Sequence, residues 1–154
     1  MSGATGMTGM TGVTGPTAPN VTANYQYSSG PQVTTAAQIV YPLLGITGEG
    51  TAITQNADGT LTLAPNQAYY VDFSMDTRVQ PGSTAGAGLY LNGGLVGGTG
   101  VSVSNNGATF VDTSLSGNGI VRTGATAGTL ALRVASGPQA SQFQTPAYSM
   151  FKIA

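Results

Sequence analysis

The sequence contains no cysteine, no histidine and no tryptophan. Without cysteine there is neither a disulfide framework nor a zinc–thiolate site. Without histidine the commonest general base and metal ligand is gone as well. Charge is also scarce. Four Lys and Arg stand against five Asp and Glu, for a formal net charge of -1. A phosphate-binding surface needs clustered basic residues, so nucleic acid is excluded as a partner. The charged fraction of 6% lies far below the roughly 25% of ordinary soluble domains. Thr, Ser, Asn, Gln and Gly must therefore cover the surface, which suits an exposed, inert or self-associating protein. Long apolar runs are missing too. The longest, AAQIVYPLLGI at 36–46, is too short and interrupted to cross a membrane as a helix. The residues after Met1 have neither a basic start nor the apolar stretch of a signal peptide.

What is present begins with a period of three. Residues 3–17 read GATGMTGMTGVTGPT, with glycine first and threonine last in each triplet. Helices repeat near 3.6 residues and strands near 2. Glycine at every third place is the requirement of the collagen triple helix, where only glycine fits the crowded axis. The alternative is a flexible Gly/Thr linker, which five phased triplets argue against. The period stops near Ala18, dividing the chain into a collagen-like stalk remnant at 1–19, expected to be disordered, and a head at 20–154. A repeat that starts almost at residue 1 also suggests that further stalk precedes this sequence. Asn20-Val21-Thr22 matches an N-glycan sequon, read here as accidental.

The head shows no helical stretch. Its apolar residues alternate in short blocks punctuated by Gly, Asn and Pro. In TLTLAPNQAYYVDFSM, Leu61 and Leu63 alternate with threonines and an APNQ turn follows. Tyr69, Val71, Phe73 and Met75 then share one face, with Tyr70, Asp72, Ser74 and Asp76 on the other. Period two with one wet face predicts an antiparallel strand on a core. Upstream, TAITQNADGTLTL reads as a hairpin whose NADG turn tolerates positive φ. AGLYLNGGLV puts Leu89 and Leu91 in phase before an Asn92-Gly93 turn. ATFVDTSLS leaves its inner face ambiguous. GTLALRVASG sends Leu130, Leu132 and Val134 inward and Arg133 outward. The expected fold is all-β, a jelly-roll sandwich of about eight to ten antiparallel strands.

The closing PAYSMFKIA is apolar on both faces. Phe151 and Ile153 are expected in the core, which leaves Tyr148 and Met150 on the opposite face. A second apolar face needs a partner, and a neighbouring subunit is the obvious one. A triple helix also needs three chains, so both features point to a homotrimer with Tyr148 and Met150 at its interface.

A Gly-x-Thr segment followed by a β-rich head resembles the collagen-like surface glycoproteins of Bacillus and Clostridium spores. The resemblance runs from Gly3 to Ala154 and rests on the order of four pieces: the Gly-x-Thr repeat, GTLTLAPNQAYYVDFS (59–74), LYLNG (89–93) and YSMFKI (148–153). The last three match the family's aromatic core strand, the strand and turn after it, and its terminal strand. It implies a trimeric, tumour necrosis factor-like jelly roll at the tip of a filament on the exosporium, the outermost spore layer. It also implies that the head registers the triple helix, and that Thr5, Thr8, Thr11, Thr14 and Thr17 are candidate O-glycosylation sites.

Catalysis is not expected, and neither is a cofactor or a metal. Paired glycosidase carboxylates sit about 5–9.5 Å apart, whereas Asp72 and Asp76 on one strand lie roughly 13 Å apart along the backbone. Asp112 or Glu49 could approach either from another strand. With no histidine or cysteine there is no ordinary nucleophilic triad, and Lys152 is the only lysine. The competing reading is the receptor-binding or adhesive tip of a phage or viral fibre, which joins similar stalks and heads. Under either reading the partners are further copies of the chain, with host matrix or surface glycans as open candidates. The loops VQPGSTAG and GGTGVSVSNNGA are too generic to assign a site.

Overall fold

The computed structural model describes residues 25–29, 47–136 and 142–154. The Gly-x-Thr segment, its five threonines and the stalk–head boundary lie outside the described residues. Among the described residues, eleven strands run in chain order: β1 (Tyr25–Ser29), β2 (Thr47–Glu49), β3 (Ile53–Gln55), β4 (Leu61–Leu63), β5 (Ala68–Val79), β6 (Ser83–Leu91), β7 (Gly94–Leu95), β8 (Val101–Asn105), β9 (Val111–Arg122), β10 (Gly128–Ser136) and β11 (Gln142–Lys152). One sheet has the order β2-β1-β11-β5-β9. The other has β3-β4-β10-β6-β7, and β8 also pairs with β6. The chain changes sheet on passing from β2 to β3, β4 to β5, β5 to β6, β8 to β9, β9 to β10 and β10 to β11. Every pairing is antiparallel, and the whole is a jelly-roll β-sandwich.

The alternation in β5 sets the core. Tyr69, Val71, Phe73, Met75 and Val79 are buried, while Asp72, Ser74, Asp76 and Arg78 are exposed. Leu61, Leu63, Leu130, Leu132 and Val134 close the same core from the other sheet. The predicted hairpin is β3–β4. Gly59 has φ +83°, and Asp58 Oδ1 accepts from the Thr60 amide (2.9 Å) and hydroxyl (2.7 Å). Asn92 and Gly93, both at positive φ, turn β6 into β7.

On β6, Leu89 falls in the gap between the pairings with β7 and β8. Its carbonyl accepts from the Val96 amide at 2.8 Å. Its amide donates to the Thr99 hydroxyl at 3.2 Å, and that hydroxyl donates to the Val96 carbonyl at 2.8 Å. One fully buried threonine thus supplies a missing rung of the ladder. Room for it comes from Gly117 and Gly119 on β9. A Cβ at Gly119 would come within 2.6 Å of Thr99 Cγ2, and one at Gly117 within 2.8 Å of Phe73 Cζ.

The terminal strand departs from the sequence expectation. Tyr148 and Met150 point into the protomer's own core, at 3% and 1% exposure, whereas Phe151 is 36% exposed and Ile153 half-buried. The reason is register. Tyr148 pairs with Phe73, Met150 with Val71 and Phe151 with Tyr70, and directly paired residues share a face. With apolar residues at both phases, hydrophobicity alone could not choose; the partner strand does. A two-residue irregularity at Thr145-Pro146, with Thr145 at φ +42°, separates this phase from that of buried Phe143.

Candidate functional site

Tyr148 and Met150 are therefore unavailable as an interface. The outward face of the β11-β5-β9 sheet has an apolar end built from other residues. Phe151, Tyr70 and Ile120 stand in one cross-strand row, and the backbone of Tyr25 continues that row on β1. The Phe151 and Tyr70 rings lie 5.3 Å apart between centroids, and Ile120 is 48% exposed. The next rows are polar apart from Ala147: Ser149–Asp72–Asn118, then Ala147–Ser74–Ser116. Around the corner, Leu91, Leu95, Val96, Val121 and Arg122 line a groove of about 290 Å³. Leu95 is half-exposed there, and β9 is an outer strand of its sheet. Among the described residues no strand pairs with the other edge of this twelve-residue strand, which carries neither proline nor lysine, and proteins normally protect such edges.

At the other end of the same face lies a polar cleft of about 330 Å³, lined by Asp76, Arg78, Asp112, Ser114 and Gln144 among others. Arg78 is paired with Asp112 in register, as Asp76 is with Ser114. Arg78 Nε lies 3.6 Å from Asp112 Oδ1, and its guanidinium sits 5.1 Å from the centre of the Phe110 ring. The Thr145 hydroxyl donates to Asp76 Oδ2 at 2.6 Å. The loop that carries Phe110 is pinned by buried Asn105, whose Nδ2 donates to the carbonyls of Val79 (2.9 Å) and Thr109 (2.8 Å).

Of the carboxylates named from sequence, Asp76 and Asp112 share this cleft; Asp72 lies outside its lining. Among the described residues no three Asp or Glu gather as a metal site, and Asp76 and Asp112 are both exposed. No helix among the described residues is long and apolar enough to cross a membrane. Sequence reasoning passed over Ile120 and Leu95. Ile120 left a signal, a lone apolar residue alternating with Asn118 and Arg122.

No protein-family model matches the chain, and no curated protein sequence matches it significantly. Solved structures do. The chain is similar to the Eiger tumour necrosis factor of S. frugiperda, with a TM-score of 0.53 over 85% of this chain and 94% of that one. The fold is TNF-like. At 11% identity the likeness concerns the fold alone.

Proposed function

We propose that this chain is a trimerisation and display head at the tip of a collagen-like filament on the surface of bacterial spores. The observation that carries the reading is the Phe151–Tyr70–Ile120 row, an apolar end on an otherwise polar sheet face. It lies beside the Leu95 groove and the open β9 edge. Groove and face are different surfaces, so contact between copies is head-to-tail. Such contacts close into a ring when the rotation between copies closes, and a ring of three matches the three chains that the Gly-x-Thr repeat requires. The exosporium location and the O-glycosylated threonines Thr5, Thr8, Thr11, Thr14 and Thr17 belong to the same reading, supported by the family resemblance of the repeat and the three head motifs.

Sedimentation equilibrium at micromolar concentration tests the assembly. The expected mass is three times the 15.3 kDa of one chain. A species of one chain mass would overturn the reading.

A further inference from the structure

The polar cleft lies at the other end of the sheet face from the apolar row of that proposed assembly. Arg78 is eight residues along β5 from Tyr70, about 26 Å at strand rise, so the apolar row can be covered while the cleft stays open. We propose that the cleft binds a neutral sugar unit.

The charge pattern narrows the ligand class. One guanidinium shares the cleft with two carboxylates, Asp112 with its Oδ1 3.6 Å from Arg78 Nε and Asp76 two residues along β5. A phosphate or acidic sugar reaching Arg78 would meet both carboxylates. A compact cation reaching the carboxylates would meet Arg78. A neutral polyol suits this alternation, because each hydroxyl donates to a carboxylate and accepts from a guanidinium or amide. Ser114 and Gln144 add a hydroxyl and an amide to the wall. Phe110 is not in the lining, but its 46% exposed ring lies 5.1 Å from the guanidinium of Arg78 and supplies an apolar surface of the kind that packs against the C–H face of a sugar ring.

Several of these groups already have partners within the protein before any ligand arrives. Thr145 donates to Asp76 at 2.6 Å from the irregularity in β11. Arg78 is held between Asp112 and the Phe110 ring, and Asn105 anchors the loop behind Phe110. Groups already fixed lose little freedom on binding. The volume of about 330 Å³ lies at the small end of ligand sites and suits one or two sugar rings.

The test is a titration of the isotope-labelled protein with a set of neutral methyl glycosides, read from backbone amide shifts. Sodium phosphate and methylammonium serve as controls, and the assembly state is measured on the same sample. At least one glycoside should shift the amides of 76–78, 110–114 and 144 saturably, with a Kd near ~1 mM. Arg78→Ala and Phe110→Ala should each weaken binding about tenfold at unchanged melting temperature, and Arg78→Lys should fail to restore it, since the fork is lost. Phosphate or methylammonium binding here in preference to every glycoside overturns the proposal. So does silence toward all glycosides, including the case where these amides are protected by a second copy. Binding by a protein that sediments as one chain supports the cleft and overturns only the trimer.

Discussion

Phe151 on β11 and Tyr70 on β5 face each other in register on the outside of the five-stranded sheet, with ring centroids 5.3 Å apart. The residue before Phe151 in the chain, Met150, is paired with Val71 on the inside. Adjacent residues thus serve opposite surfaces, and they should fail differently. Phe151→Asp places a charge without a partner in the proposed contact between copies. It should give a folded species of one chain mass, with a melting curve that no longer depends on protein concentration. Met150→Asp buries the charge inside the protomer and should abolish folding instead. Dissociation by Met150→Asp with a folded monomer, or no effect from Phe151→Asp, would show that the apolar row is not the interface.

The same pair marks how far the sequence could be read. β5 was legible because one phase is apolar and the other carries Asp72, Ser74 and Asp76, so a single period-two pattern chose the face. In β11 both phases are apolar, and the choice fell to a register that depends on a strand some seventy positions earlier. The irregularity at Thr145-Pro146 hid the phase further. The hairpin of β3 and β4 was legible because turn chemistry is local: NADG supplies the glycine at positive φ and the aspartate that binds Thr60. The cleft was not legible. It joins Arg78 to Asp112 and Asp76 to Thr145 across three strands, and none of these residues forms a motif along the chain.

Thr99 and the β9 glycines provide a second test. A methyl at residue 119 would lie 2.6 Å from Thr99 Cγ2, and forcing extra volume into a packed interior costs about 1–3 kcal/mol. Gly119→Ala should lower stability by about that amount. Thr99→Ser removes Cγ2 while keeping the hydroxyl that serves Leu89 and Val96, so in that background Gly119→Ala should become close to neutral. Thr99→Val, which deletes the hydroxyl, should cost about 1–3 kcal/mol for the unsatisfied Leu89 amide. Urea denaturation of the two single variants and the double variant gives the coupling. Strict additivity would mean that Gly119 is not there to admit Thr99.

Stability should hold level across neutral pH and fall only at the extremes. With no histidine or cysteine, no side-chain type with an ordinary pKa between about 5 and 8 is present. Burial raises both Tyr69 and Tyr148 above the ordinary tyrosine value of 10.0. The folded state therefore keeps phenolic protons that the unfolded chain releases. By linkage their contribution is complete below about pH 10 and is lost as pH rises beyond it. At the acid end the Thr60 hydroxyl and amide lower Asp58 below 3.8. Its contribution is present above that value and lost as pH falls through the lowered one. Melting temperatures followed from pH 5 to 11 should show a plateau and then an alkaline decline. A step between pH 6 and 8 would contradict this assignment.

The final expectation concerns what the head does for the chain ahead of it. Five Gly-x-Thr triplets at 3–17 look alike, so neighbouring registers of three such chains differ little in energy. The repeat alone cannot select one. A trimeric head holds three chain ends together and turns helix growth from a three-body encounter into a local event at raised effective concentration. Register is then set at the head and propagates away from it. Lengthening the native repeat with further Gly-x-Thr triplets, and comparing it with and without residues 20–154, isolates this effect. Triple-helix circular dichroism after thermal unfolding should recover faster, and with first-order kinetics, when the head is present. Without it recovery should be slower and concentration-dependent. Phe151→Asp in the longer protein should behave like deletion of the head, because a folded monomer aligns nothing. Equal recovery in all three would remove nucleation from the account and leave surface recognition as the role of the head.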